Sequence, residues 1–466
     1  MLDVLVIGGG PAGVVAALRA GDLGSKTALV TRDKFGGMAA NDGPVPVRTL
    51  AHAARLLRDT RQLGHYGISI GEPVLDYTKL LERVREVTSE VRAHSVLRKQ
   101  IDALGVEVYE EVGPVRFVDT HTIANTDGLK LQAKKIIVCT GGSSRLLTVP
   151  GSELTATHSD AWKLKAVPPS LLVIGAGATG AQVASIFNAF GSKIQIFQTG
   201  PRILPSEDED VSAEVANAFR ESGIEVREDF GVIDSFEKTP SGVRMFFSRD
   251  GVQNSVEATL VVTAIGWIAN IDELDLANAN VETNARGFIG VDEFLRTSAP
   301  HIFAAGDVTG RLMLAPQALH AGFLAATNAV RGPTMQTCDQ VAPIGSFTDP
   351  EYAQVGLTEV KARESYDVVI ATIPFDATTR PIIDGRTGGF CKLIVNRQTH
   401  EILGCHVVGE RAVDIAQLAA VAITAGMQID ELAHVPFSFP TYAGVLGRTA
   451  ASITRRLNLN VDCPAS

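Results

Sequence analysis

The clearest pattern along the chain is an apolar run, a glycine-rich turn and a helix-like stretch, and this pattern occurs twice. The first copy begins with the apolar run 2–7 and leads to a second apolar run at 27–30. The second copy begins at 171–174 and leads to a run at 193–197. Short continuous apolar runs that alternate with helical stretches are typical of buried parallel strands in βαβ units.

Both turns have the spacing G-x-G-x-x-G. The first glycine of such a turn makes a tight bend, the second lets the backbone approach a pyrophosphate, and the third lets helix and strand pack closely. Two copies imply two dinucleotides, or one site and a relic, and a flavin with a nicotinamide nucleotide is the economical interpretation. The glycines are Gly8, Gly10 and Gly13 in the first turn, and Gly175, Gly177 and Gly180 in the second.

The last third of the chain has a different character. From Val341 onward, alternating and aliphatic runs predict strands, and apolar stretches over 412–425 and 442–457 predict helices. This part has no glycine turn of the phosphate-binding kind. A helix-on-sheet domain of this composition, at the end of a chain, often packs against a partner subunit.

Composition and charge exclude some function classes. The 466 residues are 45% hydrophobic and 20% charged, as in ordinary globular proteins, and imply more than one domain. The net charge of −10, without a long basic run, argues against a nucleic-acid partner. Residues 171–187 are apolar, but their glycine spacing predicts a buried strand and helix rather than a membrane span. The first residues lack the features of a signal peptide, so a cytoplasmic protein is expected.

The five cysteines form no C-x-x-C or C-x4-C pair. Cys139, Cys391 and Cys405 lie in apolar runs and are expected to be buried and inert. Cys338 is not assigned a role, and Cys463 could be reactive. This usage fits a reducing, cytosolic compartment, and no metal site is predicted.

Further motifs extend a family resemblance over nearly the whole chain. The chain resembles the class I flavoprotein disulfide reductases, also called pyridine nucleotide–disulfide oxidoreductases, the group of dihydrolipoamide dehydrogenase and mercuric reductase. The resemblance implies an α/β fold with two Rossmann-like domains, for FAD (1–155 and 285–338) and NAD(P) (156–284), and a C-terminal α+β dimerisation domain (339–466). The motifs are CTGGSS at 139–144, AIGWIAN at 264–270, FAAGDV at 303–308, FTDPEYAQVGLTE at 347–359 and ILGCHVVG at 402–409.

By this resemblance, the first glycine turn holds the FAD pyrophosphate and Asp307 accepts a hydrogen bond from the ribityl chain. The acid that the family places on the adenosine ribose is Thr31 here, and Asp33 is a possible substitute. The implied FAD contacts are Gly8, Gly10, Pro11, Ala12, Gly13, Asp33, Gly37, Met38, Val115, Thr140, Gly141, Gly306, Asp307 and Ala315.

The second turn is the implied NAD(P) site. Gln198 stands where NADH enzymes of this kind place an acid for the ribose 2′-hydroxyl, and its neutral side chain would not repel a 2′-phosphate. NADPH is therefore favoured mildly, and NADH stays open. The implied contacts are Gly175, Gly177, Ala178, Gly180, Gln182, Gln198, Thr199, Arg202 and Gly266.

Two segments depart from the family pattern. Residues 36–48 read GGMAANDGPVPVR, so Ala39 and Pro44 stand at the positions of the redox cysteines and Arg48 at that of the lysine. Residues 439–444 read FPTYAG where the family has HPTxSE, so Phe439 replaces the acid–base histidine and Gly444 the glutamate that orients it. Thiols, base and orienting acid are missing together, which favours changed chemistry over one damaged residue.

The sequence therefore predicts an FAD-dependent NAD(P)H oxidoreductase whose acceptor is a small molecule such as a quinone or oxygen. Arg48 is expected to place a positive charge near the flavin, and Phe439 and Tyr442 to form an aromatic face or to plug the vacated cavity. The alternatives are a soluble transhydrogenase or NAD(P)H oxidase, and a non-catalytic sensor that binds flavin or nucleotide on a retired enzyme fold.

Overall fold

The computed structural model describes residues 1–93, 95–337 and 341–459. Its strands are β1 Leu2–Ile7, β2 Thr27–Val30, β3 Glu107–Tyr109, β4 Arg116–Asp119, β5 Thr122–Ala124, β6 Lys130–Val138, β7 Gly142–Ser144, β8 Ala156–Thr157, β9 Ser170–Ile174, β10 Lys193–Gln198, β11 Glu225–Glu228, β12 Val232–Thr239, β13 Gly242–Arg249, β14 Val252–Ala258, β15 Leu260–Thr263, β16 Trp267–Ala269, β17 Ile302–Ala304, β18 Ile344–Ser346, β19 Tyr352–Gly356, β20 Val368–Pro374, β21 Phe390–Asn396 and β22 Ile402–Val408. Its α-helices are α1 Pro11–Asp22, α2 Gly37–Asn41, α3 Pro44–Thr60, α4 Tyr77–Ala93, α5 Val96–Ala103, α6 His158–Ala161, α7 Ala178–Ala189, α8 Glu209–Glu221, α9 Ala315–Arg331, α10 Glu359–Ser365, α11 Thr379–Ile383, α12 Ala412–Thr424, α13 Ile429–His434 and α14 Gly444–Arg456.

These elements form two compact units. The first contains Met1–Leu50, Thr78–Arg145 and the described part of 266–339. The second contains Ala51–Tyr77, Leu146–Ile265 and the described residues from 341 onward. The second glycine turn and the C-terminal strands thus belong to one unit, and the division into three domains stays a prediction.

The first unit is built on a parallel sheet in the strand order β3-β2-β1-β6, with β17 paired to the end of β6. The first half of β6 instead pairs antiparallel with β5, which pairs with β4. One face of the parallel sheet buries Val4, Val6 and Leu29 under α1 and α9, and the other buries Leu5 and Ile7. Both faces are covered, which explains why these strands are continuously apolar in the sequence.

The second unit contains a second parallel sheet, in the order β11-β10-β9-β15-β8. An antiparallel sheet, β12-β13-β14, packs on it through an apolar cluster. Within that cluster the rings of Phe197, Phe230 and Phe247 meet edge to face, with centroids 5.1–5.7 Å apart. Aromatic pairs prefer such geometry because the ring edge is positive and the face negative.

The same unit also contains a five-stranded antiparallel sheet in the order β18-β19-β22-β21-β20, named here the C-terminal sheet. One of its faces buries Cys405 and Val407 against α12 and α14. The other face carries a buried polar row, in which Gln354 on β19, His406 on β22 and Lys392 on β21 are direct cross-strand neighbours.

The mixed α/β fold with two parallel nucleotide-type sheets and a separate C-terminal sheet confirms the predicted fold class. The strands and helices of both repeats lie where the apolar pattern places them, and the helix expected from Tyr442 begins at Gly444. In the described part of the chain, no helix combines the length and apolar character needed to cross a membrane.

Candidate functional site

The first glycine turn joins β1 to α1, and the protein itself requires two of its three glycines. Gly8 has a φ of +112°, and a Cβ atom built on it would overlap the carbonyl oxygen of Cys139. A Cβ on Gly13 would overlap the carbonyl oxygen of Gly8. Gly10 differs, because its φ of −78° suits any residue and the nearest atom to a built Cβ would be Gly37 Cα at 4.0 Å. The protein leaves the space at Gly10 open.

The second turn repeats this geometry between β9 and α7. Gly175 has a φ of +93°, and a Cβ there would overlap the carbonyl oxygen of Ala264. A Cβ on Gly180 would overlap Gly175, whereas Gly177 has a φ of −78° and no atom within 4 Å of a built Cβ. In both turns, neither the backbone conformation nor a neighbouring atom requires a glycine at the middle position. An open approach to a helix N-terminus suits the pyrophosphate of a dinucleotide.

Three strands of the first sheet deliver further predicted residues to the first turn. The carboxyl ends of β1, β6 and β17 are adjacent, because β6 pairs in parallel with both of the others. Thr140 and Gly141 follow β6, and Gly306 and Asp307 follow β17. A Cβ on Gly306 would lie 3.1 Å from the side chain of Ala12. Ligands of open parallel sheets bind at this edge.

Two polar groups at this edge lack partners. The buried hydroxyl of Thr140 has no hydrogen-bond partner among the described residues. The carboxylate of Asp307 likewise has no partner in the described part of the chain, and burial raises the pKa of this carboxyl. Asn270, from the AIGWIAN motif, fixes the crossing beside them, since its side chain donates to Thr140 O at 3.1 Å and its backbone to Gly141 O at 3.1 Å.

The remaining predicted FAD contacts differ in exposure. Asp33 projects into solvent with a side chain that is 88% exposed. Val115 is buried. Two residues before it, the N–H of Gly113 donates to the carbonyl of Arg32, which follows β2. Pro11 is the first residue of α1 and Ala315 the first of α9, while Met38 lies in α2.

The segment without cysteines rests directly on the first turn. Gly36 N donates to Gly9 O at 2.8 Å. The amide of Asn41 donates to Gly37 O at 2.8 Å and Phe35 O at 3.1 Å, which fixes the bend into α2. This role of Asn41 could not be predicted from its place in the sequence. Three residues of this segment were predicted to stand at the positions of the redox cysteines and the lysine of the family. Ala39 lies half-buried in α2, while Pro44, which begins α3, and Arg48 within α3 are exposed.

Three cysteines are buried and unpaired, as predicted: Cys139, Cys391 and Cys405. Burial raises the pKa of Cys139 to about 12, and the pKa of Cys405, which contacts Cys391, is also raised. The thiols of Cys139 and Cys405 are therefore protonated at neutral pH and do not act as nucleophiles. Cys338 and Cys463 lie outside the described residues.

Within the second turn, both the backbone N–H and the backbone carbonyl of Ala176 are hydrogen-bonded. Its N–H donates to Gln198 Oε1 at 3.0 Å, and its carbonyl accepts from Leu204 N at 2.8 Å. Thr199 is exposed, and Arg202 turns back on its own loop, with Nη2 donating to Pro205 O at 3.3 Å. Nη1 of this arginine is buried without a hydrogen-bond partner in the described structure.

Other predicted contacts of the second site are less distinctive. Gln182 Nε2 donates to Ala178 O, one turn earlier in α7, at 3.2 Å. Gly266, with a φ of +112°, belongs to the first unit.

The aromatic residues of the C-terminal segment have different surroundings. Phe439 is 73% exposed. Tyr442 is half-buried beside Phe375, and its hydroxyl donates to Asp384 Oδ2 at 3.0 Å. His434, the last residue of α13, places its Nδ1 2.6 Å from Asp430 O of the same helix.

Comparison with known proteins agrees with this arrangement. Residues 2–322 match the family model described as pyridine nucleotide-disulphide oxidoreductase. Residues 342–450 match the model of the dimerisation domain of that family.

Individual relatives match along nearly the whole chain. A dihydrolipoyl dehydrogenase from Zymomonas mobilis is 35% identical over 454 residues, which cover 94% of this chain and 95% of the relative. A mercuric reductase from Lysinibacillus sphaericus is 31% identical over 448 residues, covering 95% of this chain and 80% of the relative. The solved HOCl-induced flavoprotein disulfide reductase RclA from Escherichia coli superposes with a TM-score of 0.85 at 25% identity, covering 96% of this chain and 99% of that chain. The chain therefore belongs to the pyridine nucleotide-disulphide oxidoreductase family.

Proposed function

We propose that this protein is an FAD-dependent oxidoreductase that passes electrons from NADPH or NADH, through the flavin, to a small acceptor other than a disulfide, such as a quinone or oxygen. The observation that carries the proposal is the combination of two intact glycine turns with a segment, 36–48, that contains no cysteine. Cys139, Cys391 and Cys405 are buried and do not substitute for a redox pair.

The surroundings of the first turn support FAD as the resident cofactor. The open space at Gly10 and the N-terminus of α1 suit the pyrophosphate. The carboxylate of Asp307 and the hydroxyl of Thr140 lack partners, and a flavin with its ribityl chain would provide them. Bound FAD would supply the two-electron carrier, and the residues of the chain would hold and orient it.

The second turn supports a nicotinamide nucleotide, with NADPH favoured mildly. At the end of β10, the side-chain amide oxygen of Gln198 accepts a hydrogen bond from Ala176 N in the turn. Because this side chain is neutral, no carboxylate stands there to repel a 2′-phosphate. Thr199 is exposed beside it, and Nη1 of Arg202 has no hydrogen-bond partner in the described structure. These groups would bind a 2′-phosphate.

The choice of acceptor follows from the missing groups. Reduction of a disulfide by this family requires a thiolate and an acid–base partner, and Ala39, Pro44 and Phe439 can provide neither. Quinones and oxygen accept electrons from a reduced flavin without a protein nucleophile. The exposed ring of Phe439 would contribute an apolar surface to a quinone site.

Arg48 is proposed to act as a fixed positive charge near the flavin, where it would stabilise an anionic reduced form. An Arg48→Met variant should then have a lower flavin midpoint potential and slower reduction by NADPH. An unchanged potential would remove Arg48 from the proposed site.

A homodimer is proposed as the working assembly. The match of 342–450 to the dimerisation domain supports it, as do the exposed apolar side chains of Ile382, Val421 and Phe439. Where exposed apolar side chains form a contiguous patch, they commonly mark a protein interface. In the dimer, Phe439 and Tyr442 would serve the flavin of the partner subunit.

The deciding experiment is an anaerobic titration of the purified protein, followed by its visible absorbance. Addition of NADPH, then separately NADH, should bleach a flavin spectrum, and a naphthoquinone should restore it. Bound flavin that neither nucleotide reduces would favour the non-catalytic sensor. A protein that binds no FAD would overturn the cofactor assignment. Rapid hydride transfer from NADPH to an NAD⁺ analogue, with no quinone or oxygen present, would favour a transhydrogenase.

A further inference from the structure

The buried polar row of the C-terminal sheet faces an acidic turn. Residues 207–210, at the start of α8, supply the acids. They meet the row side by side: Gln354 donates to Glu207, His406 Nε2 lies 3.4 Å from Asp208, and Lys392 Nζ lies 2.9 Å from Asp208. The row therefore anchors the turn through matched polar groups.

A series of three hydrogen bonds links this anchor to the second glycine turn. Leu204 N donates to Ala176 O at 2.8 Å, inside the glycine turn. Glu207 N donates to Leu204 O at 3.0 Å. Gln354 Nε2 donates to Glu207 Oε1 at 3.3 Å. The loop between Gln198 and Glu207 is thus held at one end by the turn and at the other by the sheet.

The contact between Glu207 and Gln354 lacks one donor. Glu207 is 4% exposed, and its Oε2 has no hydrogen-bond partner in the described structure. Gln354 is 7% exposed, and its Oε1 also has none. A carboxylic acid and a primary amide form a cyclic pair, in which the amide N–H donates to one acid oxygen and the acid O–H donates to the amide oxygen. A proton on Glu207 Oε2 would complete that pair.

Ionisation of Glu207 would have the opposite effect. Two buried oxygens would then face each other without a donor, and the charge would lie in a poorly solvated place. Burial is the main reason why the pKa of Glu207 is raised to about 7; Asp208 raises it further, and Ser206 and Arg202 lower it.

Arg202, on the same loop, lowers the pKa of Glu207, but the two side chains form no ion pair in the described structure. The groups packed on Glu207 from other elements do not supply a charge partner. Tyr352 on β19 and Ser346 on β18 are buried, and their hydroxyls bring no charge to Glu207. On β22 and β21, the side chains of His406 and Lys392 instead approach Asp208. On α10, the carboxylate of Glu359 approaches Lys392.

We propose that Glu207 is a positioning residue for the nucleotide site: when protonated it pairs with Gln354 and holds the 198–207 loop against the second glycine turn, and when ionised it releases that loop. This inference rests on the proposed function, because it concerns the nucleotide site of that activity. Nucleotide binding should therefore be tight below neutral pH and weaker above it.

The test is calorimetric titration of the FAD-loaded, oxidised protein with NAD⁺ from about pH 6 to about pH 8. NAD⁺ is chosen because no turnover occurs and because it lacks a 2′-phosphate, whose own titration near pH 6 would interfere. For the native protein the dissociation constant should rise on the order of 5-fold over this range. In Glu207→Gln an amide replaces the acid and keeps a donor for Gln354, so binding should be tight and independent of pH.

The matched control is Glu209→Gln, which removes the same charge from an exposed position two residues further along. It should keep the pH dependence of the native protein. A flat profile in the native protein, or an unchanged slope in Glu207→Gln, would overturn the inference.

A second readout does not depend on nucleotide. The pKa of Glu207 in the folded protein lies above its value of about 4.5 in the unfolded chain. The protonated pair therefore stabilises the fold fully below about pH 4.5, and this stabilisation is lost as the pH rises through about 7. Urea unfolding should show this loss in the native protein and not in Glu207→Gln, and equal profiles would contradict the protonated pair. Failure of the proposed function would look different: NADPH and NADH would leave the flavin oxidised at every pH.

Discussion

The backbone of Gly37 lies against that of Gly10, so closely that a Cβ atom built on Gly37 would stand 2.6 Å from Gly10 Cα. The φ of Gly37 is +55°, which also disfavours a side chain there. The helix that contains Ala39 is thus fixed to the turn proposed to hold the FAD pyrophosphate. We propose that position 39 corresponds to a redox cysteine of the family, so that Ala39 would place a methyl group where a sulfur atom would meet the flavin.

Restoring the two cysteines tests this interpretation. The double variant Ala39→Cys/Pro44→Cys should form a disulfide, because the glycine contacts that shape the segment are still present. Thiol titration after denaturation without reductant should find two fewer thiols than after reduction. Activity with small disulfides should stay low, because Phe439 and Gly444 provide no acid–base pair.

The matched control is Ala39→Cys alone, which should gain one titratable thiol and no disulfide within the chain. Two free thiols in the double variant, under oxidising conditions, would mean that positions 39 and 44 do not correspond to the redox pair.

The glycine turns allow ligand binding and folding to be separated by two alanine substitutions. Gly177→Ala should leave the free energy of unfolding within about 0.5 kcal/mol of the native value, because its φ suits alanine and no protein atom lies near the new Cβ. Its dissociation constant for NADPH should rise at least about tenfold, because the Cβ would occupy the approach to the pyrophosphate. Calorimetric titration and urea unfolding measure the two effects.

Gly180→Ala serves as the contrasting control, since its Cβ would overlap the carbonyl oxygen of Gly175. It should lose about 1–3 kcal/mol of stability through overpacking. If Gly177→Ala binds NADPH as tightly as the native protein, the second turn does not hold a pyrophosphate.

Local patterns made the nucleotide-type sheets predictable. The runs at 2–7 and 171–174 are buried on both sides, so they are apolar except for Asp3, and the first and third glycines of the turns after them are required by backbone overlap. Both signals lie within a few neighbouring residues, and no knowledge of distant contacts is needed to read them.

The polar row could not be predicted in the same way. Lys392 lies in the apolar run GGFCKLIVN, where a lone lysine usually points to solvent, yet it is 2% exposed. Its partners, Asp208 and Asp210, are more than 180 residues earlier in the chain. The contact of Tyr442 with Asp384 could not be predicted either, because these residues are also far apart in the chain. The acidic run at 207–210 was the available signal, but alone it resembles a solvated helix start.

Asp307 offers a test of the FAD site that separates binding from folding. Asp307→Asn should retain less FAD after gel filtration, because a carboxylate accepts hydrogen bonds from hydroxyls more strongly than an amide does. In FAD-free protein, burial raises the pKa of Asp307, so the native chain should lose stability as pH rises through that pKa. The variant should not show this loss.

Asp250→Asn is a suitable control because that side chain is 88% exposed and lies in the other unit. It should keep both the FAD content and the pH profile of the native protein. Equal FAD retention by Asp307→Asn and the native chain would argue against a role in binding the ribityl chain.

Lys392 should be the most costly charge to remove. Its ammonium lies 2.6 Å from Asp210, 2.9 Å from Asp208 and 3.6 Å from Glu359. Lys392→Met keeps much of the side-chain volume but leaves the nearly buried Asp208 without its cation. The loss should be about 3–5 kcal/mol in the free energy of unfolding, measured in urea.

Adding Asp210→Asn to this variant should recover part of the loss, since it removes one of the uncompensated charges. Lys361→Met, at an exposed position in α10, should change stability by no more than about 0.5 kcal/mol. If both methionine variants have the same stability, the ion pairs of Lys392 do not hold the start of α8 on the C-terminal sheet.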